Sequence, residues 1–251
     1  MTNYNFLDKR VLITGGSQGI GKSAAVKFSL AGAKVVILAR TESDLIATAN
    51  EIETLSGNRP LILVGDVSDY DGMVVCFDSL MSSLGGLDIL VNSAGINNPK
   101  GTLATSISEW KEVIDINLTG VFICCKLAAK IMSEQRNGNI INISSVQSRN
   151  GGRSPQYSAS KAGVEGITRS LSREMAQYNV RVNSLAPAGT ETNFAKKYWS
   201  EGTREGLIKQ SLVGRVADPE EVAEPILFLA SDAASYITGS TLHVNGGLRF
   251  D

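Results

Sequence analysis

The stretch RVLITGGSQGIGKSAAVKF, residues 10–28, decides the fold that we predict for this chain. An apolar, β-branched run leads through a glycine-rich turn into a segment of helical periodicity. Glycines let the backbone turn tightly and approach a pyrophosphate, whose charge is favoured by free N–H groups at a helix N-terminus. Taken alone, the motif also fits a glycine-rich turn without a ligand. Its place between the first strand and the first helix favours a dinucleotide site, formed by Gly15, Ser17, Gln18, Gly19 and Ile20.

The alternation of strand and helix continues along all 251 residues. Most apolar runs are continuous, which is typical of strands buried on both faces of a parallel sheet. We therefore predict an α/β fold, a single Rossmann-type doubly wound domain over 1–251 with a seven-stranded parallel sheet flanked by helices. The expected strands are 10–15, 34–39, 61–65, 87–92, 139–144, 180–186 and 241–245. The expected helices are 20–31, 42–55, 70–84, 107–134, 155–178 and 218–230, starting at signals such as Ser108 with Glu109, and Asp218 with Pro219 and Glu220.

Two connections, 96–106 and 186–210, are longer than ordinary strand-to-helix loops, and long loops are often functional. The second follows the sixth strand at its carboxyl end, the edge where open α/β sheets bind ligands. It contains Phe194, Tyr198 and Trp199. We expect 186–210 to be a mobile lid over the substrate.

Composition argues against several classes of function. With 24 basic and 25 acidic residues, the net charge of -1 provides no field to attract nucleic acid or an anionic membrane. No stretch reaches the roughly 18 apolar residues of a membrane span, and residues 1–10 lack the apolar core of a signal peptide. We therefore expect a soluble, cytoplasmic protein.

Neither the cysteines nor the histidine suggests a metal site. Cys76, Cys124 and Cys125 have neither a disulfide framework nor metal-ligand spacing, so we expect three small buried side chains. The single histidine, His243, lies in an alternating segment and is expected to be structural.

The end of the second predicted strand bears on cofactor choice. An acidic side chain there would bind the ribose 2′-hydroxyl of NAD, whereas an arginine accommodates the 2′-phosphate of NADP. This chain has Arg40, whose guanidinium can donate two parallel hydrogen bonds to a phosphate. A solvated arginine is the alternative, and Gln18 stands where a basic residue would add a second contact. We predict that NADP(H) is favoured over NAD(H).

The strongest chemical signal is Tyr157-Ser-Ala-Ser-Lys161 at the start of a predicted long helix. At this spacing the two side chains share a helix face. A nearby ammonium should lower the tyrosine pKa and make the phenol a useful general acid and base. Ser144 and Ser145 end the fifth strand, where a hydroxyl can bond the same substrate oxygen. A solvated tyrosine–lysine pair is the structural alternative.

These motifs together resemble the short-chain dehydrogenase/reductase family over essentially the whole chain. The matching pieces are T-G-x-x-x-G-x-G at 14–21, Asp66 with Val67, the tetrapeptide 92–95, Asn117, I-S-S at 143–145, and Tyr157 with Lys161. The resemblance implies an oxidoreductase that moves a hydride between a nicotinamide and a carbonyl or alcohol. It selects Ser145, the second serine of I-S-S, and makes Tyr157 the proton donor and acceptor.

Further roles follow from the resemblance alone. Asp66 and Val67 would border the adenine, while Asn92, Ala94 and Gly95 would lie near the cofactor at the fourth strand. Lys161 would also hold the nicotinamide ribose, and Asn117 would anchor a proton-relaying water. The nicotinamide and diphosphate would be lined by Pro187, Thr190 and Thr192.

The chain departs from the family pattern at three places. Ser93 replaces a common asparagine, Ala188 replaces the glycine of a Pro-Gly pair, and the interval from Ser145 to Tyr157 is one residue short. The second change puts the contacts of Thr190 and Thr192 in doubt. The third indicates a different substrate pocket.

The substrate stays open between several small carbonyl compounds. The segments VGRVADPEEVAEPILFLASD and ITGSTLHVNGG resemble 3-oxoacyl-[acyl-carrier-protein] reductases, but also occur in sugar, polyol and xenobiotic ketone reductases. Arg136 resembles one basic carrier-docking position, whereas Tyr178 replaces the other. Arg149 and Arg153 are candidates to compensate, or to bind a small anionic substrate directly. A non-catalytic dinucleotide-binding regulatory module is the alternative from another class. Apolar residues on several faces of the helices 107–134 and 155–178 predict a homotetramer.

Overall fold

The computed structural model describes residues 4–250, and its centre is a seven-stranded parallel sheet. The strands are β1 (Arg10–Thr14), β2 (Lys34–Ala39), β3 (Leu61–Val64), β4 (Ile89–Asn92), β5 (Gly138–Ile143), β6 (Val180–Pro187) and β7 (Thr241–Val244). Their spatial order is β3-β2-β1-β4-β5-β6-β7, with every neighbouring pair parallel. The predicted seven-stranded, doubly wound sheet is confirmed.

Helices cover both faces of this sheet. The α-helices are α1 (Gly19–Leu30), α2 (Glu42–Ser56), α3 (Tyr70–Leu84), α4 (Ile107–Ile114), α5 (Gly120–Gln135), α6 (Gln147–Asn150), α7 (Pro155–Met175), α8 (Asn193–Tyr198), α9 (Glu201–Gln210) and α10 (Pro219–Ala230). Short 3-10 turns follow α7 at Ala176–Tyr178 and α10 at Asp232–Ala234.

Alternating side chains of the strands supply two hydrophobic cores, one on each side. In β1, Leu12 points into the core shared with α3, α5 and α7, whereas Val11 and Ile13 point into the core shared with α1, α2 and α10. Such two-sided burial explains the continuous apolar runs in the sequence. Strand order reverses between β1 and β4, and the crevice at this switch point is where open sheets of this kind bind ligands.

The helix predicted over 107–134 is interrupted and begins earlier than its expected start signal. Ser106 caps it in a capping box with Glu109, so the choice of Ser108 was wrong. A π-helical turn, Asp115–Thr119, separates α4 from α5. Turns of this kind occur frequently at functional sites, and this one carries Asn117.

The connection 186–210 is more regular than a loop. It contains α8 and α9, whose N-caps Thr192 and Ser200 accept hydrogen bonds from Ala195 and Thr203. The four-residue α6 was also not predicted, because a single helical turn is too short to show periodicity. Within the described residues, no helix combines the length and apolar character needed to cross a membrane.

Candidate active site

A cavity of about 440 Å³ runs along the carboxyl edge of the sheet, across the switch point. One end lies at Arg40 after β2, and the other at Tyr157 beneath α8. Most residues predicted to bind cofactor line it. These are Gly15, Ser17, Gln18, Gly19, Ile20, Arg40, Asp66, Val67, Ala94, Gly95, Tyr157, Lys161, Pro187, Thr190 and Thr192.

The glycine-rich turn after β1 has a shape that only glycines allow. Gly15 has φ +66°, and a Cβ there would lie 2.8 Å from the Cα of Ala94. A Cβ on Gly21 would lie 2.4 Å from the carbonyl oxygen of Gly15. These contacts bring the turn, α1 and the end of β4 together without side chains between them.

The N-terminus of α1 is open toward the cavity. Its N-cap, Gln18, makes no side-chain capping bond, and the first turn contains no acidic residue. Instead, Gln18 Nε2 donates to Asp44 Oδ2 at 2.9 Å. Uncapped N–H groups and the helix dipole favour a bound anion, so these residues fit the diphosphate of a dinucleotide.

Arg40 and Asp66 face each other at the far end of the cavity. Arg40 Nη1 lies 3.6 Å from Asp66 Oδ2, and the Arg40 side chain is 58% exposed. Burial alone would raise the pKa of Asp66, but hydrogen bonds from Ser68 and the charge of Arg40 hold it below its usual range. Arg40 is therefore partly neutralised yet still accessible to a ligand phosphate.

Asn92 and Asn117 lie behind the cavity wall. Asn92, 2% exposed, donates through Nδ2 to Asn142 Oδ1 at 2.9 Å and so joins β4 to β5. The Asn117 side chain accepts from Ile96 N and donates to Ile96 O, each at 2.8 Å. Asn92 thus supports the strand backbone without touching the cavity, and Asn117 fixes the segment that follows β4.

Three predicted catalytic side chains converge at the other end of the cavity. Ser145 hydrogen-bonds the hydroxyl of Tyr157. Lys161 Nζ donates to Ile143 O at 2.7 Å and lies 5.6 Å from the centre of the Tyr157 ring. Strand β5 presents the serine, and the first two turns of α7 present the tyrosine and lysine on one face.

Asn117 reaches this cluster from the π-helical turn. A Cβ on Gly95 would lie 3.3 Å from Asn117 Oδ1 and 3.7 Å from Lys161 Nζ. The four residues predicted to be catalytic are therefore neighbours in space, although 44 residues separate the first from the last.

Burial sets the protonation of this cluster in the cofactor-free protein. It raises the pKa of Tyr157 to about 12, against the lowering effect of the Ser145 hydrogen bond. It lowers the pKa of Lys161 to about 8. The expectation that the lysine charge lowers the tyrosine pKa is therefore wrong for this state, because desolvation of the phenolate is the larger effect.

Helix α8 supplies an aromatic wall opposite Tyr157. The Phe194 ring lies 6.2 Å from the Tyr157 ring and 5.0 Å from the Tyr198 ring, centre to centre. Trp199 and Lys197 also line the cavity. Any molecule held near the Tyr157 hydroxyl therefore meets a mostly apolar surface on the α8 side, with Lys197 beside it.

The backbone after β6 is fixed by local bonds. Thr190 Oγ1 donates to Ala188 O at 3.2 Å, and Thr192 caps α8. This chain has its glycine at position 189, one residue later than the family pattern. Thr190 and Thr192 nevertheless line the cavity.

Sequence reasoning missed Asp44, which also lines the cavity, and it included Gln147 and Lys197 only as members of the segments 146–156 and 186–210 without singling them out. Asp44 and Lys197 lie on helices whose facing side depends on packing, and the α6 residue Gln147 belongs to an element that gave no periodic signal. All three cysteines are buried, as predicted. Among residues 4–250, no group of three or more His, Cys, Asp or Glu side chains is placed to hold a metal ion.

Fold and cavity together define an α/β oxidoreductase that uses a dinucleotide, and comparison with known proteins agrees. The family described as enoyl-(acyl carrier protein) reductase matches residues 15–249. The 3-oxoacyl-[acyl-carrier-protein] reductase of Aquifex aeolicus is 39% identical over 238 residues, which cover 94% of this chain and 96% of that protein. The protein of the same name from Escherichia coli is 38% identical over 246 residues, covering 97% and 98%.

Two solved structures have a backbone closely similar to that of this chain. A putative short-chain alcohol dehydrogenase from Sinorhizobium meliloti superposes with a TM-score of 0.93 at 36% identity, covering 98% of each chain. A short-chain type dehydrogenase/reductase from Mycobacterium marinum has a TM-score of 0.94 at 33% identity, covering 99% of this chain and 98% of that one. The chain belongs to the short-chain dehydrogenase/reductase family, and the predicted family and enzyme class are confirmed.

Proposed function

We propose that this enzyme reduces a small ketone with NADPH, or oxidises the matching alcohol with NADP, and that its preferred ketone is a 3-oxoacyl thioester. The observation that carries the proposal is the convergence of Ser145, Tyr157 and Lys161 at one end of a cavity whose other end is the open N-terminus of α1. Bound NADPH supplies the hydride; the side chains of the protein handle the proton.

The proton path follows from the contacts in the cluster. Tyr157 donates its proton to the oxygen of the reduced carbonyl, and Ser145 holds that oxygen through its hydroxyl. Lys161 supplies positive charge beside the phenolate that Tyr157 leaves, which offsets the cost of a buried anion. Asn117 keeps the segment at Ile96 in place, and its family role would be to anchor a water that returns a proton to Lys161.

Arg40 supports the choice of NADP(H). Its exposed guanidinium stands directly after β2. Thr41, the one residue between Arg40 and the start of α2 at Glu42, is uncharged. We assign the diphosphate to residues 15 and 17–20, the adenine to Asp66 and Val67, and the nicotinamide end to Pro187, Thr190 and Thr192. Ala94 and Gly95 form the floor after β4, and Asn92 supports the strand backbone behind them.

The curated relatives support the 3-oxoacyl thioester, since proteins of that name are 39% and 38% identical to this chain. The surface supports a substrate that does not need a carrier protein. Arg136 donates to Gln177 O at 3.2 Å, Arg149 lies 3.3 Å from Glu165 Oε2, and position 178 is tyrosine. Glu165 offsets the charge of Arg149 and Tyr178 replaces one basic docking residue, so the positive surface for an acidic carrier is reduced to Arg136 and Arg153.

The test compares acetoacetyl thioesters on an acyl-carrier protein and on a pantetheine mimic, for wild type and Arg136→Glu. We expect turnover on both, with a small carrier advantage that the variant does not change. A large advantage that Arg136→Glu abolishes would establish a carrier partner. Activity on sugars or cyclic ketones, without activity on any 3-oxoacyl thioester, would contradict the substrate proposal and leave the general oxidoreductase.

A simple alcohol or ketone is the second candidate. The apolar wall of Phe194, Tyr198 and Trp199 fits a small hydrophobic ketone, and a solved structure described as a putative short-chain alcohol dehydrogenase is 36% identical. A panel of aliphatic, cyclic, sugar and polyol substrates in the same assay separates the two candidates.

We further propose one catalytic domain that assembles into a homotetramer in the cytoplasm, with 186–210 as the substrate lid. Phe122 on α5 is 53% exposed, and a groove between α5 and α7 adjoins it, which supports packing against a second copy. Light scattering of the purified protein measures the assembly. A monomer at micromolar concentration would contradict it.

A further inference from the structure

Glu165 is a buried carboxylate that the proposed proton path does not use. It lies one helical turn after Lys161 on α7, and its side chain is only 3% exposed. A charge removed from water in this way is costly unless hydrogen bonds and opposite charges compensate it. The groups that compensate Glu165 all come from the surroundings of Ser145 or from α7 itself.

Two serines on either side of Ser145 donate to the same oxygen of Glu165. Ser144 Oγ lies 3.0 Å from Oε1, and Ser148 Oγ lies 2.6 Å from it. The carboxylate thereby links the residue before Ser145, at the end of β5, to the residue three positions after it, in α6.

Two arginines complete the surroundings of the carboxylate. Arg149 Nε on α6 lies 3.3 Å from Oε2, and Arg169 Nη1 on α7 lies 3.9 Å from it. Both guanidiniums are more exposed than Glu165, so the carboxylate is the most buried charged group of this cluster.

Helix α6 has few other attachments to the protein. It has four residues, none of them buried, and it ends at Gly151 with φ +69°. Its first residue, Gln147, donates through its backbone N–H to Ser145 Oγ at 3.2 Å, and Asn150 accepts from Arg249. By contrast, main-chain bonds to β6 fix Ser144 and Val146. Main-chain bonds from Ser148, Arg149 and Asn150 to the carbonyls of Ser145 and Val146 form the turn of α6 itself. Its hydrogen bonds to α7 come from side chains that meet Glu165.

We propose that Glu165 is a positioning residue, which clamps α6 against α7 and so holds the Ser145 hydroxyl and the substrate-side loop 146–156 in their working geometry. The inference rests on the proposed function, because Ser145 matters to turnover only if the enzyme reduces a carbonyl. Displacements of about 1 Å in a catalytic group can lower turnover by about a hundredfold. The clamp acts on the substrate side alone, since the glycine-rich turn and Arg40 lie at the other end of the cavity.

The kinetic test compares Glu165→Ala with Glu165→Gln and with Glu220→Ala, an exposed carboxylate on α10 away from the cavity. We expect Glu165→Ala to lower kcat by about tenfold to a hundredfold, while the dissociation constant for NADPH stays unchanged. Glu165→Gln should recover most of the rate, because its amide oxygen can still accept from both serines. Glu220→Ala should match the wild type.

A second variant covers the case in which Glu165→Ala does not fold. Ser148→Ala removes one donor without leaving a buried charge unpaired, and it should lower kcat in the same direction by a smaller factor. Thermal unfolding of each variant identifies those that retain the fold. A folded Glu165→Ala with wild-type kcat, or one that loses NADPH affinity and kcat together, would overturn the proposal.

Limited trypsin digestion tests the clamp without any substrate. Arg149 and Arg153 lie in the clamped loop, so loosening α6 should speed cleavage there in Glu165→Ala relative to Glu220→Ala. Equal cleavage rates would contradict the clamp. A wild-type protein that reduces no carbonyl compound would instead contradict the proposed function, and the digestion would still decide whether Glu165 holds α6.

Discussion

The two ends of the cavity differ in what forms their surface: main chain at one end and side chains at the other. At the β1–α1 end, glycines and uncapped backbone N–H groups form the surface, and a side chain at Gly15 or Gly21 would collide with the main chain. At the β5–α7 end, Ser145, Tyr157 and Lys161 form the surface with their side chains, and burial shifts the pKa of the last two. Binding of the cofactor and transfer of the proton should therefore respond to different mutations.

The largest expected effect comes from Tyr157→Phe, which changes the β5–α7 end alone. We expect turnover to fall by about 10²–10⁴-fold, the usual contribution of general acid catalysis, with NADPH binding retained. Stopped-flow reduction and fluorescence titration of NADPH measure the two quantities separately. Tyr236→Phe, at a fully exposed position, is the control. If Tyr157→Phe kept more than about a tenth of the rate, the proton donor would lie elsewhere.

The next effect comes from the opposite end of the cavity. Ala39→Asp combined with Arg40→Val should weaken NADPH and strengthen NADH, since a charge-assisted hydrogen bond contributes about 1.5–3 kcal/mol, or roughly tenfold to a hundredfold in affinity. Calorimetric titration with each cofactor measures the change, and kcat at saturating cofactor should hardly move. Arg59→Val, a surface arginine paired with Glu53, is the control. Equal wild-type dissociation constants for NADPH and NADH would rule out a role for Arg40 in cofactor choice.

The smallest effect is a dependence of stability on alkaline pH, which arises from Lys161 at the β5–α7 end. The pKa of Lys161 is about 8 in the folded protein, below its ordinary 10.5. The penalty for burying the ammonium is present in full below pH 8 and disappears as the pH rises to 10.5, so the ammonium destabilises the fold in the lower range. The free energy of unfolding of wild type, relative to Lys161→Met, should therefore rise between pH 8 and 9.5, by at most about 1.4 kcal/mol per pH unit.

Urea unfolding of the cofactor-free proteins at several pH values measures this difference. A difference that stays constant, or that falls with pH, would contradict the lowered pKa of Lys161.

Particular elements show why sequence reasoning succeeded in some places and failed in others. Each strand was found within one or two residues of its observed position, because burial on both faces leaves a continuous apolar run. The π-helical turn at Asp115–Thr119 was missed, since its apolar pattern differs little from that of an α-helix. Helices α6, α8 and α9 were missed because they bury too little to show periodicity. The Tyr157–Lys161 motif identified the cluster, but not the sign of the tyrosine pKa shift.

The sequence by itself determined the sheet, the glycine-rich turn and the Tyr157–Lys161 pair, because local spacing and glycine positions encode these features directly, while the family resemblance supplied Asn117 and the choice of Ser145. Only the tertiary structure decided which groups surround those residues. Ser145 and Tyr157 come from separate elements and meet at one end of the cavity. Asp44 accepts a hydrogen bond from Gln18, and Glu165 accepts hydrogen bonds from Ser144 and Ser148. Desolvation and long-range contacts arise only when distant segments pack together, so no local pattern records them.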